Sequence, residues 1–285
     1  MEAEAVEETR KESFDWSRIP WWAIIIIALG LFLAYLILAN PNYHDTYLYL
    51  RRGVITTLRI TFMAYIFAVS FGLLIGLART SKNVFVYTLA TLYVEIVRGI
   101  PMVVLILYVA FALVPAGVNL VRSLGHWGLT WASSGFLVNL FTSMSHATSR
   151  DLPMEMRAII ALAMGYAAFE AEVFRAGIQS IGRGQMEAAL SLGMNYFQAM
   201  RFVILPQAVR RVLPPLGNDL VALLKDSSLA TVLAVNELTQ MGRLRRASTF
   251  RVMETFNVVA FLYLSMTLFL SGIVRVLESK MKIRG

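Results

Sequence analysis

Cysteine is absent from the 285-residue sequence, and histidine occurs only as His44, His126 and His146. Without cysteine the chain has neither disulfides nor thiolate metal ligands, and the three histidines fall in separate predicted loops, without metal-ligand spacing. The phosphate-binding motif G-x-x-x-x-G-K-[ST] is also missing. The sequence therefore argues against a metalloenzyme and against a chain that binds nucleotide in a phosphate loop of its own.

Charged residues are scarce too, at 15% of the sequence, although Lys and Arg outnumber Asp and Glu and give a net charge of +8. The basic residues are scattered among predicted helix ends and do not form the stripe that follows a nucleic-acid backbone. We therefore expect their counterpart to be membrane lipid headgroups and not nucleic acid.

Hydrophobic residues make up 58% of the chain, and several windows reach the length of about 20 apolar residues that crosses a bilayer. Four windows contain no Asp, Glu, Lys or Arg, so each predicts a transmembrane helix that satisfies its own backbone. They are Trp21 to Ala39, Ile60 to Ala78, Ile100 to Val121 and Thr255 to Val274. Within the second window, Gly72 and Gly76 predict a small-residue face for close helix packing.

Two further apolar windows, Ala158 to Ser180 and Val209 to Val235, are interrupted by charge. The first carries Glu170, Glu172 and Arg175, and the second carries Asp219, Lys225 and Asp226. Charge at membrane depth is costly, so such helices turn it toward a protein interior or an aqueous path. The sequence thus predicts six transmembrane helices in one domain.

The remaining segments predict how the chain is arranged about the membrane. Residues 1–20 are polar and lack the basic start of a cleavable signal, which indicates a cytoplasmic tail before a retained accessory helix at 21–39. The distribution of Lys and Arg weakly favours the same side for the C-terminus. The long segment Pro115 to Arg157 predicts a surface loop with one interfacial helix near Gly135 to Phe141, or else a re-entrant segment.

Residues 185–206 form an unusually polar stretch for this chain. Its residues Glu187, Ala188, Ala189 and Leu190 predict a short helix with a small-residue face, and Gly193 suits a left-handed helix end. Asn195 is then positioned to cap a second helix, Tyr196 to Leu205, which we expect Pro206 to close. From the residues alone, this hairpin is either a docking element or an ordinary connection between spans.

The order Glu187-Ala188-Ala189, then Gly193, then Ile204-Leu205-Pro206 resembles the EAA loop of permease subunits in ABC importers. The resemblance extends from about Gly53 to Glu278 and is most specific for the branch that takes up polar amino acids such as histidine, arginine, glutamine and glutamate. The segments that carry it, besides the loop, are residues 94–101, 171–180, 214–218 and 224–229.

This resemblance implies an all-α integral membrane protein with the type I ABC importer permease fold, five core helices over residues 53–278 and one additional N-terminal helix. It implies a transport subunit and not an enzyme, with ATP and Mg bound by a separate ATP-binding subunit dimer and no cofactor on this chain. Further implied partners are a second permease copy or a homologous permease, and an extracytoplasmic amino-acid-binding protein. The hairpin would couple the ATPase to the membrane helices through Glu187, Ala188, Ala189, Leu190 and Gly193.

The charged residues within the spans predict a substrate path. With about 1.5 Å of rise per residue, Glu170, Asn218 and Asp219 come to similar depths, where they are suited to an ammonium group, while Lys225 faces a carboxylate or pairs with Asp226. Glu170, at a position usually uncharged in the family, favours a cationic or neutral amino acid. Alternatively, these charges neutralise one another between helices, or they relay ions or protons in a secondary amino-acid transporter.

Charged residues elsewhere predict local pairs. Glu95 with Arg98, and Glu172 with Arg175, are spaced three apart on one helix face and suit ion pairs. Arg243, Arg245, Arg246 and Arg251 fall in an outer loop, where they form either a solvated face or a docking patch for the binding protein.

Overall fold

The computed structural model describes residues 21–281, which are helical apart from short connections and contain no β-strand. The predicted tail, residues 1–20, lies outside the described residues. The α-helices in this part of the chain are α1 (Trp21–Ala39), α2 (Pro41–Ala78), α3 (Val84–Gly99), α4 (Met102–Tyr108), α5 (Val114–Leu129), α6 (Gly135–Ser145), α7 (Met154–Gln179), α8 (Arg183–Ser191), α9 (Tyr196–Ala199), α10 (Leu205–Asp226), α11 (Leu238–Thr249) and α12 (Val252–Met281). Two π-helical turns, Val109–Leu113 and Met200–Ile204, and two 3-10 segments, Ser149–Asp151 and Ser227–Leu233, join some of them.

Four helical segments within the described residues are long and apolar enough to cross a membrane: Trp21–Ala39, Pro41–Ala78, Met102–Leu129 and Val252–Lys280. Each contains or closely overlaps one of the four uncharged windows, so the helices expected there are confirmed. The two charged windows fall on α7 and α10. The window Val209 to Val235 is not one α-helix, because α10 ends at Asp226 and the chain tightens into a 3-10 segment over Ser227–Leu233.

Pro115, the first residue of the predicted loop, lies inside a helix. The expected loop beginning at Pro115 is instead the helix α5, which follows α4 through the π turn Val109–Leu113. In this wider turn the N–H of Val114 bonds to the carbonyl of Val109, so the helix passes the proline, which has no N–H to donate. The short helix expected near Gly135 to Phe141 is present as α6.

The helix α3 was not assigned from the sequence. It is capped by the side chain of Asn83, which accepts hydrogen bonds from two backbone N–H groups, and it ends before Pro101. It packs against α7 and α2, and the Tyr93 hydroxyl donates to the Met164 carbonyl at 2.6 Å. At 16 residues, or about 24 Å, it is too short to cross a bilayer alone, and α4 follows it after a break in the helix at Ile100 and Pro101.

The centre of the bundle is the parallel pair α2 and α7. A Cβ atom built on Gly72 would lie 2.5 Å from the Cβ of Glu170, and one on Gly76 would lie 2.8 Å from the Ala171 carbonyl. The absence of side chains at these two positions therefore allows the backbones to approach closely, as the small-residue spacing predicted. The largest hydrophobic cluster surrounds this contact and includes Ile60, Val94, Ile106, Leu162 and Leu223.

The two ends of the bundle differ. At one end, the inner end, α2 finishes at Ala78, α7 finishes at Gln179 and the α8–α9 hairpin follows. At the opposite, outer end lie α11 and the beginnings of α2, α7 and α12. The helix α1 lies at the periphery, where only Ile37 is buried, against α2 and α12.

Candidate coupling hairpin and translocation site

The hairpin turns at Gly193, as the sequence predicts. Gly193 has a φ of +82°, in the left-handed region where a Cβ atom is unfavourable. The N–H of Met194 bonds to the Ala189 carbonyl at 3.2 Å, which closes the end of α8. Beyond the turn, Asn195 accepts a hydrogen bond from the Gln198 N–H at 2.8 Å, and the Gln198 side chain accepts one from the Asn195 N–H at 2.9 Å. These reciprocal hydrogen bonds form a capping box, which fixes the start of α9.

The second half of the hairpin does not end at Pro206. The chain continues from α9 through the π turn Met200–Ile204 directly into α10. Pro206 follows the π turn, in which the N–H of Leu205 bonds to the Met200 carbonyl, and this wider turn lets the helical path pass a residue that has no N–H to donate. The hairpin is thus joined to α10 by a continuous helical path.

Apolar contacts seat the hairpin against the bundle. Ile181, Ile204 and Ala208 form a buried cluster to which Met186 and Met200 add partly buried side chains. The Arg211 guanidinium donates to the Ser180 carbonyl at the end of α7. Both flanking helices, α7 and α10, are therefore in contact with the hairpin.

The far side of the hairpin is exposed and includes large apolar side chains. Glu187 and Ala188 are exposed, whereas Ala189 is buried. Leu192 is 81% exposed, and Tyr196, Phe197 and Leu190 are also exposed. The exposed surface of the hairpin thus offers a partner Glu187, Ala188 and several apolar side chains, whereas the other alanine of the predicted small-residue face, Ala189, is covered within the chain.

A charge network lies at the inner end of α2 and α7. Arg79, 8% exposed, is bonded to Glu172 at 2.6 Å, and Glu172 also pairs with Arg175 as predicted. Glu95 does not take Arg98 as its partner: it lies 3.8 Å from Arg79, and Arg98 lies over the Phe169 ring, 5.5 Å from its centroid. The expected Glu95–Arg98 pair is therefore wrong, because helices α2 and α7 bring other partners closer.

Glu170 occupies the interior of the bundle. Its side chain is fully buried, and neither carboxylate oxygen has a hydrogen-bond partner in the described residues. Asp219 is close enough to interact with it electrostatically. Two tyrosines that sequence reasoning missed flank these acids: the Tyr65 hydroxyl donates to the Leu216 carbonyl at 2.9 Å, and both hydroxyls, of Tyr65 and Tyr166, interact electrostatically with Glu170 and Asp219.

The other predicted path residues, Asn218, Lys225 and Asp226, differ in their surroundings. Asp226 accepts a hydrogen bond from the Tyr166 hydroxyl at 2.9 Å, and no ion pair joins it to Lys225 within the described chain. Lys225 and Asn218 are exposed. The alternative in which Lys225 pairs with Asp226 is therefore not formed: Asp226 bonds to Tyr166 on α7, and Lys225 is exposed.

The arginines predicted in the outer loop differ in their contacts. Arg245 pairs with Asp45 and lies 5.3 Å from the Tyr49 ring centroid, which ties α11 to α2. Nearby, Glu237 is fully buried and caps α11, accepting hydrogen bonds from the N–H groups of Thr239 and Gln240 and from the Tyr263 hydroxyl. Burial raises the pKa of the Glu237 carboxyl, and these hydrogen bonds oppose the rise.

Another buried charge missed from the sequence is Arg157, 7% exposed at the start of α7. Its guanidinium donates to the carbonyls of Ala110 and Leu152, each at 3.0 Å, and to that of Ser149. Because Ala110 lies in the π turn, Arg157 satisfies a carbonyl there. No group of three or more potential metal ligands occurs among residues 21–281.

Sequence comparison relates the chain to transport proteins. Residues 68–283 match the family described as binding-protein-dependent transport system inner membrane component. The glutamine transport system permease protein GlnP of Escherichia coli (strain K12) is 36% identical over 231 residues, which cover 81% of this chain and 92% of GlnP. The probable glutamine ABC transporter permease protein GlnM of Bacillus subtilis (strain 168) is 34% identical over 226 residues, covering 78% of this chain and 90% of GlnM.

Solved structures show the same fold. A chain of an amino acid ABC transporter crystallised with histidines is 31% identical, with a TM-score of 0.66 over 86% of this chain and 98% of that chain. A chain of the inward-facing MetNI methionine ABC transporter, 21% identical, has a TM-score of 0.61 over 82% of this chain and 96% of that chain, and it shows the fold alone.

These matches confirm the all-α type I importer permease fold and give no support to a secondary transporter. Members of this family are transport components and not enzymes, and the ATPase of the importer is a separate subunit. The chain therefore belongs to the binding-protein-dependent transport system inner membrane components, the multi-pass permease subunits of ABC importers in the bacterial inner membrane.

Proposed function

We propose that this chain forms the translocation path for a polar amino acid and that its hairpin, residues 185–206, transmits movement from a separate ATPase subunit. The observation that carries the coupling role is the exposed far side of the hairpin, including Leu192 and Phe197, on an element joined directly to α7 and α10. The names of GlnP and of the solved amino acid transporter support the substrate class.

The attachment of the hairpin to α7 and α10 supports the transmission of movement through it as a rigid unit. Its buried cluster contacts the end of α7 and the start of α10, so a push on the hairpin moves both helices that carry the intramembrane acids. We propose that closure of the ATPase dimer supplies this push. The complete importer then holds this chain, a second copy or a homologous permease, two ATPase subunits and an extracytoplasmic binding protein.

The coupling role is tested with Gly193→Val. Valine at a φ of +82° is strained, so the hairpin turn is expected to deform. In vesicles with the ATPase and the binding protein, we expect ATP hydrolysis to continue while uptake per ATP falls severalfold. Gly182→Val is the matched control, because Gly182 has a φ of −58° and, among the described residues, no atom lies within 4 Å of an added Cβ. Normal uptake by Gly193→Val would show that the hairpin does not couple.

We further propose that Glu170 and Asp219, with Asn218 at the exposed edge, receive the ammonium or cationic side chain of the substrate. A zwitterion that leaves water must regain polar partners at both ends, and the unpartnered carboxylate of Glu170 offers one. Lys225, which is exposed, and Asp226 would meet the substrate nearer the outer end. A negative interior of this kind favours a neutral polar or basic amino acid over an acidic one.

The substrate path is tested by uptake with Glu170→Gln and Asp219→Asn. We expect each to reduce the rate at least severalfold for a basic or neutral substrate, with unchanged assembly of the transporter. Glu155→Gln is the matched control, since Glu155 pairs with Arg59 at 2.6 Å near the outer end, away from the proposed path. Unchanged rate and selectivity in both path variants would remove these residues from the site.

A further inference from the structure

The helices α5 and α6 form an arm that leaves the bundle at its outer end. Arg157, in the first turn of α7, bonds to the carbonyl of Ala110, so Ala110 lies level with the beginning of α7. Leu129, the last residue of α5, is about 28 Å further along the helix axis. Apart from the turn that precedes it, α5 packs mainly against α6 and the segment Ser149–Asp151.

The arm is a tightly packed unit and not a loose loop. A Cβ atom built on Gly125 would overlap the backbone of Ser145, and one built on Gly128 would overlap the ring of Phe141. The two helices therefore approach each other closely at these glycines. Their relative orientation is set by this contact, which also fixes which side chains face outward.

The outward surface of the arm is apolar and nearly free of charge. Trp127, Trp131 and Phe136 are 65%, 75% and 77% exposed, and Leu120 is 61% exposed. Between residues 114 and 145 the only residue among Asp, Glu, Lys and Arg is Arg122. Large apolar side chains exposed in this number are unfavourable in water and mark a contact with a protein or a membrane.

We propose that the arm lies in the headgroup layer of the outer leaflet, with Trp127, Trp131 and Phe136 inserted at its boundary with the acyl chains. The arm includes α5, the second half of the apolar segment Met102–Leu129, which is long and apolar enough to cross a membrane. The first half of this segment reaches the level of the start of α7 at Ala110, so the apolar surface of the arm continues along one helical segment from the bundle.

The side chains at the tip suit this layer. The rings of Trp127 and Trp131 lie side by side, with centroids 6.3 Å apart, and tryptophan concentrates where a membrane meets water because it joins an apolar ring to a polar N–H. The π turn Val109–Leu113 lies between the arm and the bundle and provides a place for the helix to bend toward the lipid.

A soluble binding protein is a poorer match for this surface. Such a protein must leave the permease in each cycle, and the apolar arm would then be exposed to water. A dissociable interface also carries a polar rim, whereas the arm has one cation and no anion. Lipid covers the surface at every stage of the cycle.

The test uses the fluorescence of the two arm tryptophans. Trp16, Trp21 and Trp22 are replaced by Phe, and the full-length chain is placed in nanodiscs whose phosphatidylcholine carries bromine near the glycerol end or near the methyl end of the acyl chains. We expect a blue-shifted emission, with a larger loss of intensity from the shallow bromines than from the deep ones, and little loss on adding iodide. Further replacement of Trp127 and Trp131 by Phe should remove the signal.

The aqueous control is Tyr196→Trp in the chain without other tryptophans, since Tyr196 is 65% exposed on the inner hairpin. Its emission should be quenched by iodide and not by either bromolipid. The proposal is overturned if the arm tryptophans behave like this control, or if their emission shifts only when the binding protein is added. It is also overturned if neither quencher acts on them and a cysteine at Phe136 crosslinks to a second permease.

Discussion

Replacing Gly72 by alanine tests whether the contact between α2 and α7 is as close as the structure indicates. The new Cβ would lie 2.5 Å from the Cβ of Glu170 and 3.1 Å from the Ala167 carbonyl. Ordinary van der Waals contact begins near 3.4 Å, so the two helices must separate locally by roughly 0.9 Å, the difference between those two values. Neither neighbour is the far end of a flexible side chain, so neither can simply rotate away.

The cost follows from the contacts that are lost when the helices separate. A gap of about 0.5–1 Å forfeits a quarter to a half of each dispersion contact along the interface, and overpacking of this kind destabilises by about 1–3 kcal/mol. The substitution also removes a glycine from a helix, which by itself stabilises by about 1 kcal/mol. Gly30→Ala in α1 measures that gain alone, because no atom of the described part of the chain lies within 4 Å of an added Cβ there.

The assay is thermal unfolding of the purified chain in detergent, followed by the loss of helical circular dichroism, together with uptake in vesicles. We expect Gly72→Ala to unfold several degrees below Gly30→Ala and to transport more slowly, since its new methyl group presses on Glu170. Equal unfolding temperatures for the two variants, at equal expression, would refute the close approach of α2 and α7.

Two further substitutions address buried charges. Arg157→Gln should destabilise the chain by about 2–4 kcal/mol, because buried carbonyls including that of Ala110 lose a charged donor. The measurement is thermal unfolding, in which the control Arg150→Gln, at an exposed position, should leave stability unchanged. Equal effects of the two substitutions would contradict the role of Arg157. Burial raises the pKa of Glu237 above its ordinary 4.5, so its stabilising contribution is complete below pH 4.5 and is lost as the pH rises through the folded-state pKa. The stability of the wild type relative to Glu237→Gln should therefore fall with rising pH, and a pH-independent difference would argue against it.

Several local features were predictable because they depend on neighbours in the chain. The turn at Gly193 and the cap at Asn195 follow from the backbone preferences of glycine and asparagine, and both are present. The pair Glu172–Arg175 also formed, because three residues along a helix bring the side chains to one face. In these cases the geometry of a single helix or turn is sufficient to specify the contact.

Proline positions were a poor guide to helix ends. Pro206 was expected to close a helix, and Pro115 to begin a loop although the predicted span Ile100 to Val121 runs through it. Both lie in the first turn of a helix that follows a π turn. A proline has no N–H to donate, as expected, but the wider π turn before it means that the helix loses no hydrogen bond there. Since nothing in the residues preceding each proline marks a π turn, the correct path was visible only in the folded chain.

The sequence by itself determined the membrane class, the uncharged helices and the hairpin, because hydropathy, span length and capping are properties of contiguous residues. Only the tertiary structure decided which distant charges meet. Arg79 reaches Glu172 across 93 positions, and Glu170, opposite Gly72, has no hydrogen-bond partner within residues 21–281. Both outcomes depend on the register of α2 against α7, which is set by the fit of many side chains at once and not by the residues on either helix alone.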